Sequence, residues 1–414
     1  MSEERVRLPA AEPLTDGRPT RPPVGLCPSC RSSRLTQVLE QHGVPIHTST
    51  LLASRIDAVG YPRADLQLVV CGECGVITNE AFDAPGHDYS ASYEEVQSFS
   101  PRFRAYASEL ARTLVERHGL RGREVFEIGS GRADFLLEVC AVTGGAGYAV
   151  DPSFREERLE GPAAGRITVE RTFFTSDRVP QGVAAVLCRH TLEHVHDVAT
   201  FLRAVRLGLE RAASDAAVVF EVPDTLRVLR ETAFWDLFYE HCSYFTPGSL
   251  ARAFRRAGLV PERLELTFDD QYVVVTARAG RPGEGDLLPL EESPAEIVAL
   301  ADAFSRGVER AREEWGELLR AARGRGERAV IWGAGSKGVA FLSTLGLADE
   351  VACAVDVNPA KHGMFMPATG HEIVAPERLV EVRPSIVVVM NPAYADEIGH
   401  DLGRLGIDAR VLTL

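Results

Sequence analysis

EVFEIGSGRADFLLEV, residues 124–139, decides the fold of this 414-residue chain. The apolar residues Val125, Phe126 and Ile128 stop at Gly129 and Gly131, and a helical spacing of apolar residues follows. That pattern predicts a strand, a tight glycine turn and a helix. Glycine permits positive φ and lets a ligand approach the backbone where a Cβ would stand in the way. A second strand, GYAVD, closes on Asp151, twenty residues beyond Gly131. A carboxylate there can accept the hydroxyls of a ribose. No lysine follows the glycines, so the turn is not a phosphate grip of the GxxxxGK[ST] kind. Glu127 precedes them instead. An acid at that point repels phosphate and suits a cationic nucleoside such as the sulfonium of S-adenosylmethionine (SAM). Read in isolation, the stretch also fits an ordinary strand-to-helix turn with no ligand.

The alternation extends in both directions. A helix over 101–120 leads into the turn, and strands are expected at 147–151, 182–189, 216–222, 263–268 and 272–279, with helices at 198–212 and 247–259 between them. Such alternation predicts an α/β fold with a mostly parallel, doubly wound sheet, its last two strands forming an antiparallel edge hairpin. The Gly/Pro/acid-rich stretch 281–294 reads as a linker, followed by a long charged helix near 295–323. A second α/β pattern then begins at RAVIWGAGSKGVAFL. Gly333-Ala-Gly335-Ser-Lys337-Gly338 follows a strand and opens a helix, and Asp356 ends the next strand, which is a dinucleotide fingerprint in its proper setting. Lys337 favours a phosphate-bearing ligand, either NAD or a sugar nucleotide; a Rossmann-like turn with no ligand is the plain alternative.

Length allows two or three domains, each with its own core. With 45% hydrophobic residues and no apolar run of membrane-spanning length, no membrane partner is expected. The N-terminus is polar and Pro-rich, without a signal sequence, and reads as a disordered lead over 1–23. A net charge of −14 argues against a nucleic-acid partner, while leaving room for a basic pocket that takes a small anion. Eight cysteines without a secretion signal point to the reducing cytoplasm.

Four of these cysteines form two knuckles, Cys27-Pro-Ser-Cys30 and Cys71-Gly-Glu-Cys74, inside a loop-rich block over 24–100. Two such turns can complete a tetrahedral S₄ zinc site with no open position, hence a structural one; a disulfide pair is the alternative. Cys140, Cys188, Cys242 and Cys353 sit singly in apolar patterns and read as core. The strand ending in VLCR runs into His190-Thr-Leu-Glu193-His194-Val-His196-Asp197, which should face the crevice at the strand ends. His190 and His194 have one-turn helical spacing, so a metal is conceivable there, but a polar rim beside the methyl acceptor is the simpler reading. An aromatic-dense insert over 232–250 carries adjacent Glu240 and His241. A histidine beside a carboxylate is a natural general base. Tyr239 and Tyr244 either line a pocket or pack the loop.

The order of these parts resembles the three-domain SAM-dependent sugar C-methyltransferases, from about residue 25 to the end. WGAGSKG (332–338), DVNPAKHGMFMPATG (356–370) and VVVMNPAYADEI (387–398) contribute to the likeness. The resemblance implies a zinc-binding domain over 24–100 with Cys27, Cys30, Cys71 and Cys74 as ligands, and a class I methyltransferase domain over 101–280. A Rossmann-like substrate-binding domain with its leading helix would occupy 295–414. It implies a SAM site at Glu127, Gly129, Gly131 and Asp151, with His190 nearby, and a nucleotide-linked 4-keto deoxysugar as methyl acceptor. The family's catalytic stretch, Tyr-x-Glu-His-x-x-Tyr-Phe, maps onto Phe238, Glu240, His241, Tyr244 and Phe245, so the first tyrosine is replaced and a tyrosine stands one step on at Tyr239. His241 would then remove a proton, Glu240 would orient it, and His194 or Tyr239 would donate to the developing enolate. Tyr244, Gly333, Gly335 and Lys337 would contact the acceptor. Two other readings compete: O- or N-methylation of another small precursor, and an NAD-binding oxidoreductase built on the GAGSKG loop.

Overall fold

The computed structural model describes residues 24–83, 97–155 and 159–414; the expected disordered lead lies outside them. Three sheets carry the described residues. The central one has seven strands in the order Leu259–Thr267, Tyr272–Ala279, Ala217–Pro223, Ala185–Arg189, Val125–Ile128, Gly147–Val150 and Ile167–Glu170. Its strands from Ala217–Pro223 to Ile167–Glu170 are parallel, and Tyr272–Ala279 and Leu259–Thr267 form the expected antiparallel hairpin at one edge. This is the class I methyltransferase arrangement of a doubly wound sheet. The crossover helices Asp134–Thr143 and Val198–Arg211 pack their apolar sides on it, and Phe126, Phe220 and Phe254 fill its core. Ile167–Glu170 gives a poor sequence signal because it is a half-exposed edge strand that alternates with polar residues.

The C-terminal sheet is wholly parallel, in the order Ile373–Val374, Val351–Val355, Ala329–Trp332, Ile386–Val389 and Arg410–Thr413. Its middle strands are apolar on both faces, as helix-covered parallel strands must be. The long helix Pro294–Gly324 leads into it, started by a capping box in which Ser293 and Glu296 satisfy each other's backbone N–H. Among the described residues no helix is long and apolar enough to cross a membrane.

The N-terminal block departs from expectation. Rather than being loop-rich, it contains a long antiparallel hairpin, Leu35–Pro45 with Arg63–Cys71, extended by Ile77–Asn79. Its fourth strand, Ser243–Tyr244, comes from the aromatic insert of the central domain. The same insert is anchored to the C-terminal domain by Phe234, which is fully buried, stacks on Phe341 of helix Ser336–Leu345 at 6.0 Å and lies beneath Arg312 of the long helix. Truncating so large a buried ring costs about 3–5 kcal/mol. Phe234→Ala is therefore expected to lower stability by that amount in urea unfolding, with the loss in the transition that reports the C-terminal domain.

Candidate active site and zinc centre

The four knuckle cysteines converge, with all four Sγ atoms within 4.8 Å of one another. Cys27 and Cys74 lie 3.5 Å apart, as do Cys30 and Cys71. These gaps exclude a disulfide, whose sulfurs sit about 2.05 Å apart, and approach the ~3.8 Å edge of a tetrahedron with metal–sulfur bonds of ~2.3 Å. The donor set thus fits a zinc ion with every position filled by protein. The other four cysteines are free and buried, in line with a core role.

One cavity of about 950 Å³ lies between the carboxyl ends of the central strands and the glycine turn of the C-terminal domain. Glu127, Gly129, Gly131 and Asp151 line one end. Gly129 has φ +71°, and a Cβ there would fall 2.2 Å from the Thr191 hydroxyl. Gly131 has φ +54° with open space where its Cβ would be, so the turn forms a cradle. Asp151 accepts from Gly131 N at 2.7 Å through one oxygen and from Ser153 N and Oγ through the other. It therefore shapes the turn, and the oxygen that faces Gly131 keeps a lone pair for a ligand hydroxyl. Glu127 is buried, and one of its carboxylate oxygens has no hydrogen-bond partner. Burial pushes it up to about 8, with Arg189 only partly opposing the shift. A buried acid with one unpartnered oxygen beside a glycine cradle fits a cationic nucleoside.

His190 stands at the end of strand Ala185–Arg189 with φ +47°. Its Nε2 lies 2.8 Å from Glu221 and its Nδ1 3.6 Å from Glu193. Burial opposes the charge on this ring, but the two carboxylates prevail and push it up to about 9. Glu221 is opposed by burial in turn, yet Arg189 at 2.6 Å and His190 hold it down to about 2. Tyr106 also bonds to Glu221. This charged floor of Arg189, Glu221 and Tyr106 has no motif-like signature; its only sequence signal is that Arg189 and Glu221 close neighbouring strands.

At the other end of the cavity, His194 and His241 meet edge to face at 4.8 Å, and Phe238 packs on His241 at the same separation. Burial drives His194 down to about 4, with His241 adding to the effect, and drives His241 down to about 3, with His190 adding. Both rings are neutral at physiological pH. His194 Nδ1 lies 3.1 Å from the Glu240 backbone carbonyl, which only accepts, so Nδ1 carries the proton and Nε2 the lone pair. Hence His194 cannot be the expected hydrogen-bond donor to an enolate; its remaining nitrogen accepts.

Other sequence-based expectations are also corrected. The Glu240 carboxylate does not pair with His241; it accepts from Thr48 N at 2.9 Å and from the Thr48 hydroxyl. Tyr239 points into the N-terminal module, where its hydroxyl takes Asp83 N and donates to Ala81 O, and neither it nor Glu240 lines the cavity. Residues 239–240 form a turn, and around it Phe238 and His241 enter the cavity while Tyr239 and Glu240 turn from it. Lys337 lines the cavity as expected, with Gly333 and Gly335, but its ammonium is already held by Asp236 at 3.0 Å and Gln271 at 2.8 Å. Tyr244 borders the cavity, yet its hydroxyl is spent on the Phe238 peptide, taking its N–H at 2.9 Å and giving to its carbonyl at 2.7 Å. Asp356, the acid of the dinucleotide fingerprint, is paired with Lys361 at 3.0 Å.

The donor atoms of Glu193, His194 and His241 also lie within 4.8 Å of one another. Sequence spacing had singled out His190 with His194 for a metal; the fold instead joins His194 to His241.

Two outcomes test these environments. Elemental analysis is expected to find one equivalent of zinc in wild type and to find it lost in Cys71→Ser. Binding a cation beside Glu127 should ionise it and release a proton, so SAM affinity should rise with pH up to about 8. Calorimetry in buffers of different ionisation enthalpy should count that proton in wild type and miss it in Glu127→Gln.

Comparison with known proteins matches this architecture. The family described as "Methyltransferase domain" matches residues 99–264, and "C-methyltransferase C-terminal domain" matches residues 291–406. The chain is 28% identical over 397 residues to the C-methyltransferase NovU of Streptomyces niveus, covering 91% of each protein. Among solved structures it is similar to a SAM-dependent methyltransferase from Aquifex aeolicus, at 18% identity over 44% of this chain and 95% of that one, with a TM-score of 0.34. It is also similar to geranyl diphosphate C-methyltransferase from Streptomyces coelicolor A3(2), at 14% identity over 42% and 77% of the two chains, with a TM-score of 0.33. The oxidoreductase reading gives way to these matches. With a match to a methyltransferase domain followed by a match to a C-methyltransferase C-terminal domain, the chain is a SAM-dependent methyltransferase.

Proposed function

We propose that the protein methylates the carbon next to the ketone of a nucleotide-linked deoxysugar, with His241 as general base. The observation that carries this reading is the single cavity that joins the glycine cradle at 129–131, the neutral His194–His241 pair and the second glycine turn at 333–338. Its length suits an acceptor whose reacting ring lies by His241 while its nucleotide reaches the C-terminal domain. NovU, similar over almost the whole chain, is a C-methyltransferase, which supports carbon as the site of transfer.

SAM, held by Glu127, Gly129, Gly131 and Asp151, supplies an electrophilic methyl group. The chain's own residues do the rest. His241 is neutral because it is buried, so a ring nitrogen is free to take the α-proton. His194 offers a second accepting nitrogen beside it, and the proton gained belongs to the coupled pair. Cationic Arg227 and Lys337 stand on the cavity wall to oppose negative charge that develops on the acceptor oxygen. Phe238 and the apolar rim exclude water and strengthen that field. Because transfer is in line, much of the rate must come from holding base, acceptor carbon and methyl group in register.

Incubating candidate keto-sugars with the protein in D₂O should label the α-carbon, and His241→Ala should lower methyl transfer by roughly 10²–10⁴-fold. Equal rates in variant and wild type would remove His241 as the base. The Glu193–His194–His241 donor set favours a second reading, in which a divalent cation at these residues activates a hydroxyl for O-methylation. Two measurements separate the readings: the chemical shift of the product methyl, and the rate after mild chelation that spares the four-cysteine zinc. A C-methyl product formed at full rate after chelation supports the first; an O-methyl product and a lost rate support the second.

A further inference from the structure

The Glu240 carboxylate, expected to face its neighbour His241, is instead almost wholly buried against an arm of the N-terminal module. That arm, residues 46–52, leaves strand Leu35–Pro45 and crosses to the C-terminal domain, where Leu52 and Phe365 exchange backbone hydrogen bonds at 3.3 and 2.8 Å. Its middle is braced by His47 Nδ1 at 2.9 Å from the Tyr61 hydroxyl, which itself donates to Thr50. Thr48 is 3% exposed and gives both its backbone N–H and its hydroxyl to the same Glu240 oxygen. Thr48 Oγ1 also lies 2.8 Å from the hydroxyl of Ser336, the first residue of the helix that follows the C-terminal glycine turn. A threonine hydroxyl has one proton, and the carboxylate is the stronger acceptor, so Ser336 donates to Thr48. Ser49 stands 3.2 Å from the same Ser336 hydroxyl.

One side chain therefore touches all three parts of the molecule: its own zinc-bearing module, the insert that carries His241, and the turn facing the acceptor's far end. The position of Glu240 reaches the base directly. Its backbone carbonyl takes the His194 proton at 3.1 Å, and the next residue is His241. A buried carboxylate must keep its donors or move toward others, and a movement near 1 Å at a reacting centre costs on the order of 100-fold in rate.

We propose that Thr48 is a positioning residue for methyl transfer: by holding Glu240 and Ser336 together, it sets His194 and His241 against the acceptor-facing glycine turn. The proposal rests on the reading of His241 as the base. It also gives the N-terminal module a part in the reaction beyond holding zinc.

The test compares Thr48→Val, which keeps the shape and removes the hydroxyl, with Thr48→Ser, which keeps the hydroxyl. In the full-length, zinc-loaded protein, Thr48→Val should lower kcat about tenfold to 100-fold while leaving SAM affinity and zinc content at wild-type values. Thr48→Ser should recover the rate to within a few-fold. A wild-type kcat in Thr48→Val, or an equal loss in both variants, would overturn the proposal. His241→Ala measured in parallel keeps the two ideas apart. Full activity in that variant removes the base, whereas an inactive His241→Ala beside a fully active Thr48→Val removes only the role of Thr48. Should Thr48→Val lose zinc or unfold, Ser336→Ala approaches the node from its other side. A several-fold rise in acceptor KM at near wild-type SAM affinity is then expected, and an unchanged KM and kcat would overturn the proposal.

Discussion

The structure depends on one short strand pairing. Ser243 and Tyr244 add themselves to the edge of the N-terminal sheet, opposite Thr78 and Ile77, and Thr78 and Asn79 both bond to the Cys242 carbonyl. The residues just before that strand carry Phe238, Glu240 and His241. A loop of this kind would otherwise have to satisfy its own backbone groups at a buried position, which loops seldom can. Borrowing a sheet edge solves this and also covers an edge that could pair with other chains. The result is an active-site segment whose conformation is set by a different domain from the one that encodes it.

That dependence gives the cysteine knuckles their importance. The knuckle hairpin is tied to the central domain through Arg31 and Asp197 at 2.5 Å, and Arg252 donates to the Cys74 carbonyl at 2.9 Å. The four thiols therefore stabilise the sheet that receives the insert carrying His241, as well as the module itself. Rigid support matters because proximity and orientation contribute to rate only when the reacting groups stay within a fraction of an ångström.

The electrostatics of the cavity sort themselves by depth. Near the cofactor end, carboxylates outnumber the cations they face, and His190 is charged as a consequence. Near the acceptor end, burial outweighs the nearby carboxylates Glu193 and Asp236 and leaves His194 and His241 neutral. Two kinds of histidine thus arise from one sequence stretch and its neighbour, a few ångströms apart. The difference is that His190 bridges two carboxylates, Glu193 and Glu221, whereas Glu221 does not act on the other two rings.

Much of this was legible in the chain. Glycine spacing, apolar runs of strand length, the distal Asp151 and the paired CxxC knuckles are local patterns, and local patterns impose turn geometry and ligand geometry whatever surrounds them. They determined the doubly wound fold, the cofactor cradle, the four-thiol centre and the presence of His241 at the site. Side-chain direction in the insert was not legible. Glu240 looks like a partner for His241 because the two are adjacent, yet they leave a turn in different directions, and their destinations are decided by what lies on each side. Thr48, Ser336, Asp236 and Gln271 share no motif with the residues they bind, being separated from them by tens to hundreds of positions. Tertiary structure alone assigned Glu240 to Thr48, Lys337 to Asp236 and the His194 proton to a backbone carbonyl, because hydrogen bonds and burial act through space and not along the chain.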